Sequence, residues 1–225
     1  MSCPSEMISN HVDRIPGEKM GFYSHFITPR LIEWGLGSEQ AMRLRTDVVS
    51  AARGKVLEIG FGTGLNLRAY PPSVERVVAI DPEKMLPDRV QKRLAESRVP
   101  VELIHLDASN RLPYDDASFD TIVSTWTLCS IADVDSALTE VRRLLRSDAR
   151  FLFLEHGRSD NPKIAKRQDW WNPIQRIIGS GCNTNRAIDQ LVSRAGLKIE
   201  KLDRFLMPAT PRILAEMYKG IAVRE

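Results

Sequence analysis

The stretch VLEIGFGTGLN, residues 56–66, sets three glycines at alternate positions, Gly60, Gly62 and Gly64, behind an apolar run interrupted by one acid. An apolar run of this length that closes on a glycine reads as a buried strand entering a tight turn. Glycines so closely spaced let a ligand approach the main chain. A dinucleotide fingerprint needs GxGxxG, whose third glycine lets the helix pack on the strand, and here Gly64 comes one residue early. A phosphate-cradling Walker A loop needs Lys and then Ser or Thr, whereas Gly64 is followed by Leu65 and Asn66. Glu58, two residues before the first glycine, disfavours a pyrophosphate and suits a ligand that is positively charged or donates hydrogen bonds.

Outward from this loop, strand-length apolar bursts alternate with helix-like segments, the pattern of βαβ units around a mainly parallel sheet. The bursts are KVLEIG (55–60), RVVAID (76–81), VELIHLD (101–107), FDTIVST (119–125) and RFLFLEH (150–156). They are rich in Val, Ile, Leu and Phe, as strands buried on both faces should be. LKIEKLDRF (197–205) and RILAEMYKGIAV (212–223) add two more, for seven strands. Helical spacing predicts helices over 88–97, 133–146 and 185–196, the last stopped by Gly196. A helix after the fifth strand is expected to break at Pro173. Residues 18–52 read as helices, Ser38 capping one that closes on Gly54, and form an N-terminal lid. The expected organisation is a leader and lid over 1–52 and a ligand-binding domain over 53–225. The expected fold is a doubly wound α/β sheet, mostly parallel with its last strand antiparallel.

Composition narrows the function classes. At 225 residues, with 43% hydrophobic and 27% charged side chains, the chain suits one globular α/β domain. A net charge of +3, without a polybasic block, gives no reason to expect nucleic acid. Cys3, Cys129 and Cys182 lack the spacing of a zinc motif and read as reduced thiols, so no metal is expected. No signal-peptide core and no run of ~18 apolar residues occurs, so a cytoplasmic protein is expected, with no integral membrane association and at most peripheral lipid contact.

Asp81 ends the second burst, where an acid accepts hydrogen bonds from ribose hydroxyls, and Pro82 follows it. Asp107 and Ala108 follow the third, where a doubly wound sheet reads an adenine edge. Together the three loops suit a nucleoside without requiring phosphate. VLEIGFGTG, AIDP, LDAS, FDTIVSTWTLCSIAD and LLRSDARFLFLEHG resemble the successive motifs of class I S-adenosylmethionine-dependent methyltransferases. YPPSVERVVAIDP, TLCSI, FLEHG and WWNPIQRIIGSGCNTNR resemble the methyltransferase-like branch that includes small-thiol methyltransferases.

The resemblance implies S-adenosylmethionine as donor and S-adenosylhomocysteine as product. It implies that Gly60, Gly62 and Gly64 bring backbone to the methionine part, whose amino group Glu58 orients directly or through water. Asp81 would hold the ribose, Asp107 and Ala108 would face the adenine, and Thr125 and Trp126 would floor the site near the methyl group. Phe61, Thr63, Asn66 and Pro82 complete the expected donor site, with Tyr23 of the lid. Two departures stand out. Phe61 replaces an often small residue and is expected to narrow the pocket, and SDA (147–149) replaces a Pro-Gly-Gly turn.

Methyl transfer from a sulfonium is an in-line displacement, so the protein must align the reactants and exclude water, and a base is optional. A thiol with pKa near ~8.5 needs only a modest push to ionise, whereas an amine or hydroxyl requires a base in reach. His156, at the end of the fifth strand, either touches substrate or bonds a loop carbonyl. Asp160 reads as a solvated turn residue, His105 as a structural mid-strand residue and His11 as part of a leader. His25, like Tyr23, is either a ligand contact or packing. Trp126 is expected in the pocket, and of Trp170 and Trp171 one is expected in the core and one at the pocket. Cys182 is either near the substrate or a buried small hydrophobe; Cys129 reads as packing, and Glu155 and Asp120 as solubility or capping residues.

The expected function is methyl transfer to a small, fairly apolar acceptor, first a thiol, with His156, Trp126 and Cys182 as candidate catalytic residues. A phospholipid amine or quinone acceptor, reached across an apolar lid face of Phe22, Phe26, Ile27 and Leu31, is the alternative. A non-catalytic S-adenosylmethionine-binding protein is the alternative from another class, and an NAD-dependent oxidoreductase is disfavoured by the position of Gly64. The oligomeric state is not legible.

Overall fold

The computed structural model describes residue 33 and residues 35–225. Tyr23, His25, His11, Cys3 and the proposed lid face of Phe22, Phe26, Ile27 and Leu31 lie outside the described residues.

Strand β1 (Gly54–Ile59) carries four consecutive buried residues, Val56 to Ile59, so it must be covered on both faces. It pairs in parallel with β2 (Val74–Ile80) on one side and β4 (Phe119–Thr125) on the other. The seven-stranded sheet has the order β3-β2-β1-β4-β5-β7-β6, with β3 at Val101–Ile104, β5 at Leu145–His156, β6 at Leu197–Leu206 and β7 at Glu216–Arg224. β7 runs antiparallel to both β5 and β6, and the rest of the sheet is parallel. From β1 the chain winds outward to β3 and then returns to β4, so the carboxyl ends of β1 and β4 diverge and leave a crevice.

Alternation along the strands sorts the core into two layers. Leu57, Ile59, Phe151 and Phe153 face α3 (Val134–Leu144) and α5 (Ile188–Arg194). Val56, Val123, Leu152 and Leu154 face α1 (Glu39–Val49) and α2 (Pro87–Ala95). Caps fix the helix starts: Ser38 accepts from the Ala41 N–H and Asp133 from the Ser136 N–H.

Several boundaries differ from the sequence expectation. The helix opened by Ser38 ends at Val49, and Gly54, expected to close it, is the first residue of β1. β3 stops at Ile104, so His105 lies just past the strand, and its Nδ1 sits 3.1 Å from the Asp81 carbonyl oxygen. β5 starts at Leu145, directly after α3; residues 147–149 are extended, and the register shift between Phe119 and Thr121 absorbs the missing turn. β7 begins four residues after Arg212, because residues 208–214 are turns and coil. Helix α4 (Pro162–Ile178) runs through Pro173 without a break. The lost backbone bond is outweighed by side-chain anchors on the preceding turn. The buried Gln168 donates to the carbonyls of Gly157, Thr184 and Ile213, Asp169 pairs with Arg158, and Asn172 bonds Asn183 and Thr184.

Candidate active site

A cleft of about 1400 Å³ opens at the carboxyl ends of the central strands. One half is walled by the loops after β1, β2 and β3: Gly60, Gly62, Asp81, Pro82, Asp107 and Ala108 all line it, with Thr125 at the end of β4 and Trp126 just after it. Gly60 has φ +75°, and a Cβ there would lie 2.1 Å from Thr127 Oγ1, so only glycine lets β1 end against the β4 loop. Asp81 holds the loop in place. Its Oδ2 accepts from the Gly62 N–H at 2.7 Å and its Oδ1 from the Glu83 N–H at 2.9 Å. Burial raises the pKa of this carboxyl above its ordinary value despite those two donors. Asp107 is exposed and caps the Ser109 N–H.

Glu58, Gly64 and Asn66 lie beneath the loop, outside the cleft wall. Glu58 is 1% exposed, and its oxygens accept from Asn66 Nδ2 at 2.9 Å and the Tyr70 hydroxyl at 2.8 Å. Burial pushes its pKa up to about 7. Beside it lies Arg45, a residue the sequence reading passed over. Its guanidinium donates to Asn66 Oδ1 and Thr125 Oγ1 and lies 4.7 Å over the Trp126 ring, while its Nε is buried with no partner among the described residues. Burial lowers its pKa to about 10. The available signal was its register: Arg45 shares the buried face of α1 with Ala41, Val48 and Val49.

Arg45, Phe61, Thr63 and Glu33 wall a smaller cavity of about 50 Å³ that shares Gly60, Met85 and Thr125 with the cleft. Phe61 is 3% exposed and packs in the α1-side core. Its ring lies 2.7 Å from where a Gly64 Cβ would stand, so the bulky residue and the third glycine are a matched pair. Glu33 ties the loop to α2: it accepts from the Thr63 hydroxyl and pairs with Arg93 and Arg89. Although burial opposes it, these bonds hold the Glu33 carboxyl below its ordinary pKa.

The other half of the cleft is walled by the loop after β4 (Thr127, Ser130, Ile131, Ala132), by Pro173, Arg176 and Ile177 of α4, and by Gly179, Ser180 and Gly181 after it. Trp126, at its border, has φ +53°, an unusual conformation for a bulky residue, and its N–H donates to the Leu154 carbonyl. Glu155 is the anchor here and not a solubility residue. It is fully buried and accepts from the Ser124 hydroxyl and the Thr127 N–H, because its place in the interior strand β5 turns it beneath the β4 loop. Burial, then the nearby Cys129 sulfur, push its pKa up to about 8. Asp120 is likewise structural, accepting from the Lys55 N–H and pairing with Arg146.

Of the tryptophan pair, neither ring is in the core or at the cleft. Trp170 is 75% exposed and Trp171 is half-buried, its indole N–H donating to Gln175, because the anchors at Gln168 and Asn172 turn other faces of α4 inward. Asp160 is an exposed ion-pair partner of Arg204. Cys129, His156 and Cys182 meet in three dimensions. Their ligand atoms lie within 4.8 Å of one another, and Cys182 Sγ is 2.9 Å from His156 Nε2, which thus bonds a thiol and not a loop carbonyl. A hydrogen bond from Cys182, opposed by burial, holds the Cys129 thiol well below its ordinary pKa, and the same bond together with burial pushes Cys182 up. Spacing along the chain hides this cluster, since each member comes from a different loop or strand end.

The chain matches a family described as a methyltransferase domain over residues 57–153. It is 31% identical to Thiol S-methyltransferase TMT1A of Homo sapiens, over 75% of this chain and 70% of the relative. It is also 31% identical to Phosphatidylethanolamine N-methyltransferase of Cereibacter sphaeroides, over 74% and 81%. Among solved structures, Burkholderia thailandensis 1,6-didemethyltoxoflavin-N1-methyltransferase, with 1,6-didemethyltoxoflavin and S-adenosylhomocysteine bound, superposes with TM-score 0.61 at 17% identity, covering 95% of this chain and 93% of that one. The strand order, the glycine loop at the switch point and these relatives agree: the chain belongs to the class I S-adenosylmethionine-dependent methyltransferases.

Proposed function

We propose that this methyltransferase acts on a small, fairly apolar thiol. The observation that carries the reading is the chemistry of the acceptor half. Among its described lining residues Arg176 is the only ionisable one, and it is a cation. An ammonium or a hydroxyl would find no base among these described residues, whereas a thiol ionises near neutral pH and its thiolate is favoured by a guanidinium. Ile131, Ala132, Pro173 and Ile177 supply apolar surface for the body of such a substrate. The thiol methyltransferase among the relatives supports the same choice.

S-adenosylmethionine supplies a methyl group on a positively charged sulfur. In the donor half, we assign Asp81 to the ribose hydroxyls, Asp107 and Ala108 to the adenine edge, and the backbone of residues 60–63 to the methionine part. Arg45, a cation in the wall of the smaller cavity, fits the carboxylate of that amino-acid tail. Glu58 acts through Asn66 and Arg45 rather than by touching the ligand. Thr125 and Trp126, where the two halves meet, border the path of the methyl group.

A panel of alkyl and aryl thiols, amines, phenols and lipids, read by formation of S-adenosylhomocysteine, tests the reading. Turnover confined to thiols is expected, and turnover on amines alone refutes it. One observation favours a second reading, a phospholipid amine: α4 exposes Trp170, Ile174, Ile177 and Ile178 beside the cleft mouth, a face suited to a lipid surface. Turnover on phosphatidylethanolamine vesicles with none on soluble thiols would establish it instead.

A further inference from the structure

We propose that Cys129, His156 and Cys182 form a three-ligand site for a soft divalent cation of the zinc class, whose remaining coordination position takes the sulfur of the thiol acceptor. The three protein ligands stand on geometry alone, and the occupant of the fourth position rests on the thiol reading above.

Two sulfurs and one imidazole nitrogen converge from the loop after β4, the end of β5 and the loop after α4, all within 4.8 Å of one another. Tetrahedral zinc, with Zn–S near ~2.3 Å and Zn–N near ~2.0 Å, sets such atoms about 3.5 to 3.8 Å apart. The Cys182–His156 contact of 2.9 Å must open by under an ångström, and the others need close by no more than about one. The donor set selects the metal: thiolate and imidazole suit zinc and repel magnesium or calcium, which require oxygen. Both cysteines are free thiols.

The backbone around the cluster is held in advance. Asn183, next to Cys182, donates both its N–H and its Nδ2 to the Cys129 carbonyl oxygen, at 2.8 and 2.9 Å, and its Oδ1 accepts from Asn172 of α4. The two cysteine loops are thereby locked to each other, as the supporting shell of a metal site requires. Three protein ligands rather than four is the pattern of a site that leaves one position for substrate.

The site also lies in the right place. Ser130 and Gly181, immediate neighbours of the two cysteines, line the acceptor half, so the sulfurs stand one residue behind its wall. A dication with two thiolates and a neutral imidazole is uncharged, and a third thiolate makes it anionic. The half-buried guanidinium of Arg186, beside both cysteines, offsets that charge, while the buried Glu155 near Cys129 favours the cation itself. When the acceptor sulfur binds, its proton passes to solvent. Its lone pair then forms the new S–CH3 bond, the donor's C–S bond breaks with its electron pair kept on the departing sulfur, and the neutral thioether, a poor ligand, leaves.

The experiment uses the full chain, reduced, treated with EDTA and freed of chelator, then titrated with Co2+ as a coloured stand-in for zinc. One equivalent is expected to give the visible bands of four-coordinate cobalt and thiolate charge-transfer absorption, both displaced by Zn2+. Cys129→Ser and Cys182→Ser should each remove the charge-transfer bands, and His156→Gln should weaken binding about tenfold or more. Retained binding of S-adenosylmethionine by calorimetry shows that the variants are folded. Six-coordinate cobalt spectra, or no bands from the reduced wild type, overturn the site. Adding a soluble alkyl thiol should shift the charge-transfer bands; unchanged bands in an enzyme that turns that thiol over overturn its coordination. Cobalt bands without any thiol turnover leave the metal site standing and sink the thiol reading, so the two fail separately.

Discussion

The two halves of the cleft are built by different means: the half proposed for the donor is main chain held on strand ends, and the half proposed for the acceptor is gathered from segments distant in the chain. Gly60, Gly62 and Asp81 follow β1 and β2 directly, and each is tied to the other strand by a backbone hydrogen bond or a steric fit. Ser130, Arg176 and Gly181 come from a loop, a helix and a second loop, positioned by Gln168, Asn172 and Asn183. A common donor is thus served by geometry any member of the fold can reproduce, while the acceptor is served by groups that can change without disturbing the sheet.

The sharpest break in this contrast is Gly60→Ala. Its Cβ would enter the space of Thr127 Oγ1 and Cγ2, at 2.1 and 2.2 Å, in a backbone conformation alanine resists. Affinity for S-adenosylmethionine, measured by calorimetry, should fall by about a hundredfold or more, with stability lower by about 3 kcal/mol. Asp81→Asn is next. The new amide would set a donor against the Gly62 or Glu83 N–H and lose the anionic acceptor, so donor affinity should drop about thirtyfold with the acceptor KM unchanged. A rise in acceptor KM alone would show that the loop serves both halves.

The same division explains what could be read in advance. Strands β1, β2 and β4 and their terminal residues were legible because a contiguous apolar run, a glycine and an acid act locally. Arg45 was not, since an arginine in an amphipathic helix is ordinarily solvated, and only the packing of α1 against Asn66 and Thr125 buries it. Nor was Glu155, which the composition of RFLFLEH marks as a strand end but which the sheet turns inward. Pro173 misled for a related reason: local propensity argued for a break, and the anchors of Gln168 and Asn172 overrode it. The meeting of Cys129, His156 and Cys182 depends wholly on tertiary structure.

Burial of acids beneath both halves has a consequence for stability. Glu58 and Glu155 titrate near about 7 and about 8 in the folded chain, above the 4.5 of a free glutamate, because burial disfavours their charged forms. The native state therefore holds more protons than the unfolded state between about pH 4.5 and 8. Their contribution is present in full below about 4.5 and is lost as pH rises through the folded values. Urea unfolding should show stability falling as pH rises from 5 to 8.5, and Glu58→Gln should flatten the lower part of that fall. An unchanged slope in that variant would mean that Arg45 keeps Glu58 ionised throughout.

The smallest effect belongs to Arg176→Gln, and it tests the acceptor half alone. Arg176 is an exposed residue of α4, so its charge acts through a partly aqueous path and is worth on the order of 1 kcal/mol to a thiolate. The expected result is a fall of about fivefold in kcat/KM for a thiol at neutral pH, with the Kd for S-adenosylmethionine unchanged and the rising limb of the pH profile displaced upward. The fall should shrink as salt is raised, because screening removes in the wild type what the substitution removes in the variant. A neutral acceptor would be indifferent to both changes, so a salt-independent loss points to packing against the Arg176 stem, and no loss removes the electrostatic argument for a thiolate. A loss of donor affinity would be the most instructive failure, since it would show α4 reaching across the cleft and the two halves acting as one.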